Sequence, residues 1–231
     1  MRKDSVLALT FAVAFIVLFL APPFLPYTFS PYPLINWADV VDLATPLLLI
    51  PLYWLLFIAS GAAMGGRVMI AFLVLAAAFV EGHGIHLAAN AIGHLLRDQA
   101  GPARDLTEFW DESFSHYLWH GAVLGLSGLA LISSERTSSG RAGIDPMAIA
   151  AAVIYGFALF LIGDEGGTGP MVILFAAAFL AGSWVVRERV LASPVLTMFA
   201  GGYALALVLF GIWFVYWGGR LPQFSEIGLI K

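Results

Sequence analysis

The chain has 231 residues, 61% of them apolar and only 11% charged, with a mean hydropathy of +0.91. A soluble domain is about a quarter charged, so this chain lacks the groups to cover a water-facing surface. With no cysteine and a formal net charge of -4 without a basic run, thiolate metal sites, iron–sulfur clusters, disulfides and a nucleic-acid surface are excluded.

Crossing a hydrocarbon core of about 30 Å takes roughly 20 apolar residues in a helix. Taken in chain order, the apolar runs predict seven transmembrane helices. The first, Val6–Ala21, ends at Pro22-Pro23, and no small-residue cleavage site follows it, so it reads as a retained helix rather than a secretory signal. An aromatic, proline-rich connection through Tyr27 and Tyr32 suits the headgroup level. The second helix runs from Asp39 to Ser60 and the third from Val68 to His94. A polar stretch, Arg97–Glu108, reads as a loop before the fourth, Trp110–Ile132. After the polar loop Ser133–Asp145, Pro146 opens the fifth, which ends at Gly163. The sixth and seventh are Met171–Val186 and Pro194–Trp217. The expectation is an all-α polytopic membrane protein forming one integral domain over residues 1–231.

Lys and Arg concentrate in cytoplasmic loops. Arg2, Lys3, Arg67, Arg136, Arg141, Arg187 and Arg189 fall on one side, and Arg97, Arg104, Arg220 and Lys231 on the other. That bias predicts a cytoplasmic N-terminus and an external C-terminus, and the expected location is a plasma membrane of the bacterial inner-membrane type. Small residues at Ala152 and Gly156, Ala178 and Gly182, and Gly201 and Gly202 predict close helix packing.

All five histidines fall on the third and fourth spans. At about 100° per residue, His83, His86, Asn90 and His94 share one face within an arc of roughly 80°. Glu112, His116 and His120 follow at i, i+4 and i+8, again on one face. Counting about 1.5 Å per residue from the outer boundary, His83, His86, His116 and His120 reach similar depths, and His94 stays at the entrance. Asp111 and Glu112 open the fourth span, Asp39 and Asp42 the second, and Glu81 lies mid-helix without a Lys or Arg one turn away. Buried ionisable groups in a bilayer persist where they have a partner or a wet cavity.

Imidazoles with carboxylates and no thiolate suit a divalent metal, zinc first and iron second. The expected donors are His83, His86, His116, His120 and Asp111. Glu81 and Glu112 are the candidate proton acceptors, Glu81 favoured for its depth although it points away from Asn90. With short loops and outer-side polarity, the expected substrate is a lipid-like molecule drawn from the surrounding membrane lipids. A metal-ion transporter, a b-type haem protein with axial histidines from two helices, and a scaffold subunit are the alternatives.

The pair His116-Tyr117-Leu118-Trp119-His120, a preceding helix carrying polar residues and histidine, and a following Asp together resemble the seven-helix membrane metal hydrolases that include alkaline ceramidases and the progestin and adiponectin receptors. In that superfamily the H-x-x-x-H pair lies on the last helix, whereas here it lies on the fourth. The resemblance implies a zinc-dependent lipid hydrolase.

Overall fold

A computed structural model describes residues 2–25, 27–32, 34–63, 65–135 and 145–229. It is helical almost throughout: α1 (Arg2–Leu20), α2 (Trp37–Ala59), α3 (Gly66–Leu95), α4 (Pro102–Glu108), a π-helical segment (Phe109–Ser115), α5 (His116–Ser133), α6 (Pro146–Glu165), α7 (Gly169–Val185), α8 (Arg187–Ala192) and α9 (Pro194–Tyr216). Among the described residues, five helices are long and apolar enough to cross a membrane: α1, α2, α3, α6 and α9. The expected fourth and sixth spans differ in kind. The apolar helix α7 is shorter, and α5 continues without a break from α4 and the π segment.

The polar stretch expected to be a loop is therefore helical from Pro102 onward. Pro102 at the first helical position and the Arg104–Glu108 ion pair, four residues apart at 2.5 Å, favour that winding. The expected inner loop Ser133–Asp145 lies mostly outside the described residues.

The core forms where α1, α6 and α9 meet. On α1, Ala8, Phe11, Ala12 and Phe15 repeat at helical spacing and are fully buried, while Val6, Val13 and Val17 face outward. Phe11 packs edge-on against Tyr53 at 4.7 Å, and Phe15 lies 5.1 Å from Tyr155. Gly156 permits the closest approach, because a Cβ there would stand 2.4 Å from the carbonyl oxygen of Gly202. This is the close packing anticipated from the small residues.

Hydrogen bonds tie the loops at one end of the bundle. Ser134 Oγ donates to the carbonyl of Ser60 at 2.7 Å, and Arg189 Nη1 to the carbonyl of Ser134 at 2.8 Å. Asp145 caps α6 by accepting from the Met147 amide at 2.9 Å, and the Ser5 hydroxyl of α1 donates to it as well. That bond to Ser5 holds the Asp145 carboxyl below its ordinary pKa. The histidines lie toward the opposite end.

Candidate metal centre

The site begins with two prolines inside α2. Pro46 has no amide hydrogen, so the carbonyl of Asp42, four residues earlier, loses its helical donor. His83 Nε2 takes that carbonyl at 2.9 Å. A carbonyl only accepts, so the ring proton sits on Nε2 and Nδ1 keeps its lone pair. His83 is 2% exposed, and its Nδ1 is buried with no partner. Phe19, Phe79 and Trp119 surround the ring at centroid distances of 6.1, 5.9 and 5.8 Å.

One turn along α3, His86 Nδ1 stands 2.7 Å from Asp111 Oδ1. The two are at ion-pair distance but out of hydrogen-bond alignment. The ring of His86 lies 6.2 Å from that of His83 and 4.9 Å from that of His116. His116 and His120 then stack at 5.6 Å with ring planes 6° apart. The four imidazoles thus form a continuous chain of rings across α3 and α5.

Each of the remaining rings also meets an oxygen. His116 Nδ1 lies 3.1 Å from the carbonyl of Glu112, which requires the proton on Nδ1, and the ring also reaches the backbone of Gly166. His120 Nδ1 lies 2.5 Å from Thr168 Oγ1, and that hydroxyl donates to the carbonyl of Gly163 at 3.4 Å. The Thr168 proton being used there, His120 donates through Nδ1, and its Nε2 is left buried without a partner.

Glycines set how closely the elements approach. A Cβ at Gly82 would stand 2.7 Å from the amide nitrogen of Trp119, so α3 and α5 touch backbone to backbone beside His83. A Cβ at Gly166 would stand 2.6 Å from His120 Cε1. The turn between α6 and α7 therefore closes over the two stacked rings.

The π segment decides which acid faces the rings. Its i→i+5 hydrogen bonding widens the winding just ahead of His116, yet His116 and His120 stack on one face, as their spacing predicts, and Glu112 stays beside His116. Asp111 is turned inward, its side chain 12% exposed, whereas that of Glu112 is 60% exposed with Oε2 4.0 Å from His116 Nδ1. Glu81 lies exposed on the outer face of α3, apart from the ring chain, as its angle to Asn90 indicated. His94 is exposed and borders a second groove with Leu34 and Asn36, in keeping with an entrance position. Asp39 accepts from the Asn36 amide at 2.7 Å and closes the N-terminal cap of α2.

Reading the sequence alone left out Thr168, and it marked Asp42 and Asp164 only as acids near helix ends. Asp42 supplies its carbonyl to His83, Thr168 orients His120, and Asp164 is buried with both carboxylate oxygens unpartnered. Only Pro46, four residues after Asp42, signalled the first of these.

The donor set of four imidazoles and one inward carboxylate suits a first-row divalent ion. The buried, unpartnered Nε2 of His120 is what such an ion would engage. Among the described residues, however, no three His, Asp or Glu side chains are already grouped closely enough to hold a metal ion. The chain matches no known protein family, no curated protein and no solved structure.

Proposed function

We propose that the chain is a seven-span membrane enzyme that uses a divalent metal, zinc first, to hydrolyse an ester or amide of a lipidic substrate from the extracytoplasmic half of the bilayer. The observation that carries this reading is the pairing of every imidazole in the chain of rings with an oxygen. His83 meets a carbonyl, His86 a carboxylate, His116 a carbonyl and His120 a hydroxyl. Metal-binding histidines are oriented in this way, the second nitrogen being held by an outer oxygen while the first faces the ion.

His86, His116 and His120 are the proposed ligands, with His83 and Asp111 beside them. A divalent ion bound there supplies Lewis acidity toward a carbonyl and acidifies a water. Asp111 holds the His86 ring. Glu112, at the exposed edge, is placed to take up and release a proton. Glu81 faces away and receives no catalytic part here.

Two observations favour this reading over its rivals. The backbone contact at Gly82 and Trp119 leaves no porphyrin-sized gap between the histidine-bearing helices. Toward the other end of the bundle the core is closed by Phe11, Phe15, Tyr155 and Phe199, which offer an ion no path. Elemental analysis of detergent-purified protein is expected to find about one zinc or iron per chain, without the visible absorption of haem. A haem spectrum, or ion flux in liposomes without lipid turnover, would replace the enzyme reading.

The seven-span reading places the N-terminus in the cytoplasm of a bacterial-type inner membrane. The shared end of the α2–α3 turn, α5 and α8 supports alternating spans. Cysteines introduced at Ala103 and Ser138 are expected to react with an impermeant reagent from opposite sides. Reaction from one side would remove both the span count and the orientation.

A further inference from the structure

Beside the ring chain, α2 and α3 part to leave a groove of about 370 Å³ that His83 lines together with Asp42, Leu47, Pro51, Val80 and Gly84. Asp42 and His83 belong to its outer part. From Asp42 to Pro51 the α2 wall runs about 13 Å along the helix axis, and beyond the two polar residues it is apolar. The groove opens sideways: Leu47 is 71% exposed, and a Cβ at Gly84 would meet nothing within 4 Å.

The polar groups in this groove are all acceptors. Asp42 offers a carboxylate. His83, its Nε2 proton committed to the Asp42 carbonyl, offers the unpartnered Nδ1 lone pair. Pro51 cannot donate to the carbonyl of Leu47, which leaves a third acceptor on the same wall. Three acceptors with no donor, one of them a carboxylate, call for a cationic donor head on an apolar tail.

We propose that this groove binds a single-chain amphiphile with a cationic hydrogen-bond-donor head, a long-chain primary amine, its head at Asp42 and His83 and its alkyl chain along Leu47 and Val80. The proposal rests on the enzyme reading only in taking the groove as a way in to the histidines. The ammonium replaces the missing donor to His83 Nδ1 and pairs with Asp42. The chain covers apolar side chains that the bilayer would otherwise cover.

The test uses the full chain in nanodiscs and dodecylamine carrying a diazirine on its alkyl chain. Mass spectrometry is expected to place adducts on Leu43, Leu47 and Val80, and unlabelled dodecylamine to compete at least tenfold better than dodecanoic acid. Gly84→Leu fills open space, so the fold should persist while labelling falls about tenfold. Asp42→Asn should remove the preference for amine over acid. Adducts spread evenly over lipid-facing Leu174 and Val208, equal competition by the acid, or unchanged labelling of Gly84→Leu would each overturn the proposal. The double variant His116→Ala/His120→Ala separates the two readings, since its labelling should persist whatever its metal content.

Discussion

Converting His116 and His120 together to alanine is expected to lower bound metal at least tenfold while leaving a monodisperse, helical protein. The two rings stack on each other and carry two of the proposed donors, so removing both takes away more than a remaining His86 and Asp111 can replace. They also fill space against Trp119 and Gly166, and truncating side chains of this size in a core costs about 2–5 kcal/mol. A gentler variant guards against misreading a fold defect. Thr168→Val keeps the shape and removes the oxygen that His120 Nδ1 meets at 2.5 Å. Loss of an outer oxygen of this kind typically lowers metal affinity by about 10–100-fold. Metal retained at wild-type stoichiometry in both variants, or a wild type that binds none, would end the metal hypothesis.

The membrane class and most spans were legible because run length and apolarity are local properties. The first span, predicted to run to Ala21 before Pro22-Pro23, ends at Leu20, and the fifth, expected to end at Gly163, continues to Glu165. The meeting of His83, His86, His116 and His120 was legible too, since facing and depth follow from helical spacing on adjacent helices. The acids were harder. Glu112 stands beside His116 and His116 beside His120, as their spacing predicts, but the π segment lies just where Asp111 and Glu112 stand, with Asp111 turned inward and Glu112 left at the exposed edge. Nothing in Phe109–Ser115 as a string of residues announces the extra residue per turn. The Asp42 carbonyl was invisible for another reason: its role joins a proline on α2 to a ring 41 positions away. Thr168 likewise reaches His120 from a different turn. In the apolar half of the bundle Ser127 and Tyr203, 76 positions apart, meet at 2.5 Å, a pairing that spacing along one helix cannot show. Pattern reading identifies polar residues on each helix, and only packing decides which of them share a cavity.

Among the carboxylates, the expected order of effect on turnover of a lipid ester or amide is Glu112 and Asp111 first, Glu81 last. Depth in the sequence favoured Glu81, because an unpaired acid in mid-span has few structural reasons to be there. Its exposed place on the outer face of α3 removes it from the reacting centre, so Glu81→Gln is expected to turn over substrate within about twofold of wild type, as for a surface change. Glu112→Gln removes a carboxylate at the exposed edge, 4.0 Å from His116. Loss of a general base lowers turnover by about 10²–10⁴-fold, and metal content should not change because Glu112 is not among the ligands. Asp111→Asn acts differently. It leaves a neutral amide against His86 Nδ1, where the carboxylate now stands at 2.7 Å, so metal affinity and turnover should fall together by about 10–100-fold. Separating the two therefore needs turnover measured at saturating metal, where Asp111→Asn recovers in part and Glu112→Gln does not. Full activity in Glu112→Gln would exclude it as the base. A loss of turnover confined to Glu81→Gln would mean that α3 turns its outer face to the substrate, and the site would have to be redrawn around that residue.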